Sequence, residues 1–228
     1  MRLATVLGGG DHGTSTEIVS ICPDQRRARR LTVSLASGSA LSVHQVVAKR
    51  LGLAEGQTVE PRELARTASA EEAQAAWEAG LQLLGYAARS RRELAERLAQ
   101  RDFRREASAE ALSRLAAAGY VNDETFAREW VERRLRQRPC GRRVLEGELL
   151  RKGVSRELAA AAIAASLDAD TELELATALA QRRLERSNQA DERVRRRIYG
   201  LLARRGFSAE TIREALARAL PTAESDSE

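Results

Sequence analysis

Displaced against itself by 51 residues, the chain matches its own pattern: Arg91-Arg92-Glu93-Leu94 with Leu98 and Phe103 falls on Arg142-Arg143-Val144-Leu145 with Leu149 and Val154. A further displacement of 53 residues reaches Arg195-Arg196-Arg197-Ile198 with Leu202 and Phe207. Such self-similarity constrains the fold strongly, because each copy is one small unit that cannot bury its own apolar face and must stack on a neighbour. Each copy opens with a long amphipathic run (about 70–88, 123–137 and 169–186) and continues with two shorter ones. The prediction is a mainly α fold of three tandem three-helix units. Gly153-Val154-Ser155 and Gly206-Phe207-Ser208 each read as a helix stop followed by a new N-cap. In the first unit Asp102 stands where the others have glycine, and Asp tolerates a left-handed backbone less well, so a looser corner is expected there.

The junction Gly119-Tyr120-Val121-Asn122-Asp123-Glu124-Thr125-Phe126-Ala127 stitches the first unit to the second. Gly119 ends one helix, Tyr120 and Val121 offer apolar contact beyond it, and Asn122 or Asp123 caps the next. Upstream, Ser69 with Glu72 and Ser90 with Glu93 have capping-box spacing, and Ser108 reads as a third helix start. Ahead of the helices, Leu31, Val33 and Leu35 alternate with polar residues, Ser37-Gly38-Ser39 is turn chemistry, and Leu41 and Val43 form a return strand. Ser42 with Gln45 opens a short helix that stops at Gly52, and Pro61 stands at the first position of another. The expected organisation is a flexible N-terminus over 1–28, a small β-hairpin-containing α+β module over 29–68, repeats over 69–121, 122–167 and 168–220, and an acidic disordered tail over 221–228. A few short strands are marginal alone, so the module should pack on the helices that come after it.

Charge narrows the partners. All but two of the 38 basic residues are arginine, Lys49 and Lys152 being the exceptions, and the net charge is +5. Such a balance favours attraction to a polyanion or to an acidic protein surface. Cys22 and Cys140 lie far apart and only His12 and His44 could join them, so no zinc-type spacing exists and two reduced thiols in the cytoplasm are expected. Gly8-Gly9-Gly10-Asp11-His12-Gly13-Thr14-Ser15 lacks the lysine of a phosphate-cradling loop and reads as linker. Residues 1–7 are too few for a signal sequence and no apolar run is long enough to span a membrane. His44 has no evident catalytic partner, and Phe126, Trp77 and Trp130 sit at helical core spacing, which favours packing over base stacking.

Ser90-Arg91-Arg92-Glu93-Leu94 with Leu98, the junction over 119–127, and Arg143 with Leu149-Leu150-Arg151-Lys152-Gly153-Val154 resemble the RecX family over about residues 73–220. The Gly-Tyr-Val-Asn-Asp-x-x-Phe-Ala junction is the specific part of that resemblance. It implies three three-helix units in an elongated, curved array. It also implies binding to the filament of the RecA recombinase on DNA, with inhibition of ATP hydrolysis, strand exchange and co-protease activity in DNA repair and the SOS response. No catalytic residue, cofactor or metal comes with it, and a monomer is expected.

One set of residues suggests a partner surface. Arg91, Arg92, Arg142 and Arg143 sit in first helical turns, where positive charge opposes the helix dipole by about 0.3–1 kcal/mol, and Arg195 and Arg196 lie slightly further in. A repeated local penalty points to an anionic partner. Two readings stay open on the sequence alone: a regulator docking on a recombinase filament, and a helical module binding DNA directly.

Overall fold

The helical repeat is present in the structure, a computed structural model that describes residues 14–186 and 191–220. The described residues form two compact units: those up to Ala87 with Leu94–Tyr120, and Ala88–Glu93 with those from Val121 onward.

The first unit begins with a four-stranded antiparallel sheet in the order β3-β2-β1-β4, from β1 (Thr16–Pro23), β2 (Arg30–Leu35), β3 (Ala40–His44) and β4 (Thr58–Val59). The expected hairpin is β2–β3, turning at Gly38 with φ +85°. β1 places a strand inside the segment over 1–28 expected to be flexible, of which residues 1–13 lie outside the described residues. Its alternation is weak, with only Ile18 fully buried, yet it pairs with strands on both sides. The helix α1 (Gln45–Arg50) starts from His44, not Ser42, which lies within β3. The imidazole Nδ1 accepts from Val46 N–H at 3.3 Å.

Helix α2 (Pro61–Tyr86) runs unbroken through the boundary expected at 68. Ser69 therefore caps nothing, and Glu72 is a buried residue in mid-helix. Helices α3 (Arg91–Ala99) and α4 (Arg105–Ala117) complete the first repeat; α4 begins three residues before Ser108, which is buried inside it. Gly80 allows α2 and α4 to meet closely, since a Cβ there would come within 2.6 Å of Leu115 Cδ1.

The sheet packs on this repeat through polar groups as well as through Ala68 of α2. Buried Arg30 donates to Glu72 (2.8 and 3.3 Å), to Ser42 Oγ and the Ser42 carbonyl (both 2.8 Å), and to the Asp102 carbonyl (3.0 Å). Glu72 also accepts from Arg104 N–H (2.7 Å) and Nε (2.9 Å). Burial alone would raise the Glu72 pKa, but these hydrogen bonds and the two guanidinium charges hold it below the ordinary carboxylate value. Asp102, at φ +63°, accepts Arg29 N–H on its carboxylate at 3.0 Å. The corner expected to be loose is pinned, because this side chain makes a contact that glycine could not.

In the second unit, α5 (Asp123–Gln137), α6 (Arg142–Arg151) and α7 (Arg156–Ser166) enclose one core around Phe126, Leu145, Leu149 and Ile163. Helices α8 (Ala169–Leu184), α9 (Glu192–Arg204) and α10 (Ala209–Ala219) enclose another around Ile198, Leu202, Phe207 and Ile212. Gly153 and Gly206 end α6 and α9 with φ +83° and +86°, where a side chain would be strained. Asn122 caps α5, accepting from the N–H groups of Glu124 (2.9 Å) and Thr125 (3.2 Å). Val121 is buried as expected, whereas Tyr120 is exposed. Cys140 lies in the α5–α7 core, and Cys22 is exposed on β1, a strand where a loose segment was expected. Residues 8–13 of the glycine-rich stretch and the acidic tail lie outside the described residues.

Candidate partner-binding surface

The arginine pairs read from the sequence mark a joint that recurs at the repeat spacing. At the start of α3, Ser90 and Glu93 form a capping box: Glu93 N–H donates to Ser90 Oγ (3.1 Å) and Ser90 N–H to Glu93 Oε2 (3.3 Å). This turn belongs to the second unit and sits on the end of α6. The Ser90 hydroxyl donates to the Lys152 carbonyl, and the Lys152 ammonium pairs with Glu93 at 2.7 Å. The Arg92 stem covers Gly153, where a Cβ would come within 2.3 Å of Arg92 Cδ. About fifty residues on, the start of α6 sits the same way on the end of α9. Gly141 N–H donates to the Arg205 carbonyl (2.9 Å) and Arg143 N–H to the Gly206 carbonyl (3.3 Å). A Cβ at Gly141 would lie 2.5 Å from the Gly206 backbone.

Each joint brings a carboxylate to the helix opening. Arg91 N–H donates to Asp123 Oδ1 at 2.8 Å, and Arg142 N–H to Glu172 Oε1 at 2.8 Å. These acids offset the positive end of each helix and the arginine beside it. The penalty read from the sequence is therefore met inside the chain, and the recurrence of the pairs at α3 and α6 follows from the joint itself. Periodicity alone could not reveal this, since Asp123 and Glu172 lie about 30 residues from the helices they cap.

Arg142 is the most committed of the six: its guanidinium also reaches Glu172 (3.5 Å) and the Leu167 carbonyl (3.0 Å). Arg92 is exposed but engaged within the chain. Arg91, Arg143 and Arg195 are exposed and form no ion pair among the described residues. Arg196 pairs loosely with Glu192 at 3.4 Å, i to i+4. The structure thus groups Arg91 with Arg92 and Arg142 with Arg143 at two joints, and puts Arg195 and Arg196 on α9. There Arg196 lines a groove with α8 arginines that the repeat comparison does not mark; the Arg182-Arg183 and Arg204-Arg205 doublets were the available signal.

Phe126, Trp130 and Trp77 serve internal packing. Trp130 stacks on Phe126 (centroids 6.1 Å apart), donates its indole N–H to Glu148 (3.3 Å) and carries Lys152 Nζ 3.9 Å from its ring centre. Trp77 is covered by the Arg114 guanidinium at 5.1 Å. Such cation–π contacts explain half-buried aromatics without a base-stacking role. His44 stacks on Phe103 at 4.5 Å and its Nε2 bonds the Arg101 carbonyl at 3.0 Å, which commits both ring nitrogens to structure. Among the described residues, no group of three or more His, Cys, Asp or Glu side chains could hold a metal, and no helix is long and apolar enough to cross a membrane.

Comparison with known proteins matches the chain in three consecutive segments. The descriptions of the first, second and third three-helix domains of RecX match residues 76–115, 122–163 and 170–216. A Regulatory protein RecX from Mycobacterium sp. (strain KMS) is 42% identical over 133 residues, covering 56% of this chain and 72% of that protein. Its counterpart from Streptomyces coelicolor is 41% identical over 141 residues, covering 60% of this chain and 74% of that protein. Among solved structures, a crystal structure of regulatory protein RecX shares the fold with a TM-score of 0.62 at 22% identity, over 87% of this chain and 99% of that one. RecX from Lactobacillus salivarius gives 0.61 at 23% identity, over 66% and 97%.

Proposed function

Since the chain belongs to the RecX family of regulatory proteins, we propose that it binds the RecA recombinase filament in the cytoplasm and inhibits its ATP hydrolysis, strand exchange and co-protease activity. The observation that carries this reading is the family match to all three helical units in order. The protein acts by binding, as a monomer, without cofactor or catalytic group. The joints support a docking role: backbone hydrogen bonds and close glycine contacts hold the helices of the second unit in register, so their exposed faces form a defined surface. Filament contacts are assigned to the six repeat arginines, with Arg91, Arg143 and Arg195 carrying most of the effect because Arg142 is also held by Glu172.

Co-sedimentation with the cognate recombinase, assembled on single-stranded DNA with a slowly hydrolysed ATP analogue, tests this reading. The protein should pellet with filaments at a saturating ratio and stay in solution without recombinase. Remaining in the supernatant across the titration would overturn the proposal.

A further inference from the structure

We propose that an arginine-lined groove in the third repeat binds the phosphodiester backbone of a nucleic acid strand. This goes beyond the filament reading and does not rest on it. The groove has a volume of about 690 Å³ and is formed by the end of α5, the C-terminal half of α8 and one face of α9. Helix α8 and the turn after it contribute Arg182, Arg183 and Arg186, and α9 contributes Arg196, Arg197 and Arg204, all exposed. Arg138 and Arg205 close the end beside Pro139, whose carbonyl accepts from Arg205 Nη1 at 3.3 Å.

What singles this groove out is charge without compensation. No acidic side chain is among its lining residues, and among the described residues the only salt bridge made by its arginines is Arg196 with Glu192. Elsewhere in the same unit several arginines are neutralised within the chain, Arg134 by Glu148, Arg142 by Glu172, Arg156 by Glu146 and Arg218 by Glu214, and those left unpaired, such as Arg143, do not line this groove. Arginines near the ends of α5 and α8 suit the negative end of the helix dipole. That accounts for their positions singly, but not for their convergence with those of α9 on one cleft.

The chemistry of the lining selects the occupant. Guanidinium forks match phosphate oxygens in pairs. Several cations in one cleft also call for a partner of high linear charge density, which a nucleic acid has, with one phosphate every ~3.4 Å per strand of duplex. Carboxylates on a folded protein are dispersed among other side chains. No aromatic side chain is among the lining residues, so the groove offers no stacking platform and fits a backbone read without regard to sequence. Gly200 belongs to the lining; a Cβ there would meet Arg204 Nη1 at 3.3 Å, so its absence leaves that guanidinium room.

The test is fluorescence anisotropy of a labelled oligo-dT and of a labelled duplex with the full chain, without recombinase, across a salt series. A variant carrying Arg182→Gln, Arg183→Gln, Arg186→Gln and Arg197→Gln should bind at least about tenfold more weakly. Its plot of log K against log salt should be shallower by ~0.7 for each single-strand phosphate that it no longer neutralises. A charge-matched control with Arg151→Gln, Arg156→Gln, Arg213→Gln and Arg218→Gln should keep the wild-type slope. Thermal melts establish folding, and should the first variant unfold, Arg183→Glu with Arg197→Glu carries the same test. Equal losses in both variants would mean diffuse charge and overturn the assignment, as would a wild type that fails to bind at low salt. A groove variant that keeps DNA affinity but no longer inhibits the recombinase would overturn it too, and would show that the groove takes an acidic protein surface instead. Loss of DNA binding with inhibition intact would support the groove and separate it from the filament reading.

Discussion

Replacing Glu72 with leucine should destabilise the first unit severely, for a reason visible in the bonds of Arg30. That guanidinium is 1% exposed, and its hydrogen bonds go to Glu72, Ser42 and the Asp102 carbonyl. Among the described residues Glu72 is the only carboxylate paired with Arg30; Glu72→Leu removes it, leaves two N–H groups of Arg30 short of a partner and frees the Arg104 N–H. Breaking one side of a buried ion pair costs about 3–5 kcal/mol, because the remaining charge is stranded. Replacing both partners by apolar residues is far cheaper, so Arg30→Met with Glu72→Leu should recover at least about half of the loss. The remainder reflects the Ser42 and Asp102 carbonyls left without their donor, at about 1–3 kcal/mol for a buried group. Urea denaturation monitored by circular dichroism gives the three free energies, and hydrogen exchange of β2 and β3 amides shows whether the loss lies in the sheet. A single variant costing under about 1 kcal/mol, or a double variant whose loss equals the two single losses combined, would refute the picture of a stranded charge.

The joint between α6 and α9 predicts that Gly141→Ala loosens the second unit by more than about 1 kcal/mol, since its Cβ would press on the Gly206 backbone; raised exchange of the Gly141 and Arg143 amides would show it, and unchanged exchange would refute it. Cys140 is buried and burial pushes its thiol pKa up, whereas Cys22 is exposed. A disulfide reagent should therefore label one thiol rapidly and the second only on unfolding, and Cys22→Ser should leave recombinase inhibition unchanged. Burial depresses the pKa of His44, so the unfolded chain binds the extra proton first. Stability should then be fully present above pH 6.5 and fall as pH drops below it, with the fall reduced in His44→Asn.

The parts of this fold that were legible are those set by neighbouring residues. The stops at Gly119, Gly153 and Gly206, the Ser90–Glu93 box and the Asn122 cap all act within a few residues, and the structure places them as read. The Ser69–Glu72 spacing misled because α2 already starts at Pro61, and Glu72 is turned inward to two arginines contributed from 42 residues before it and 32 after. β1 escaped the period-two pattern because a strand between two others draws its order from pairing more than from its own alternation. The joints were visible only as recurring arginine pairs whose acidic partners lie elsewhere. The α8–α9 groove was less visible still, since its doublets are about 20 residues apart until the two helices fold together.

That this chain restrains a recombinase is tested most directly by the DNA-dependent ATPase of the cognate RecA on single-stranded DNA, titrated with the full chain at fixed recombinase and saturating ATP. On the proposed reading the rate should fall progressively to a low plateau as the protein concentration approaches that of the recombinase. A rate that stays constant through equimolar addition, with the protein shown folded by its thermal melt, would contradict the claim.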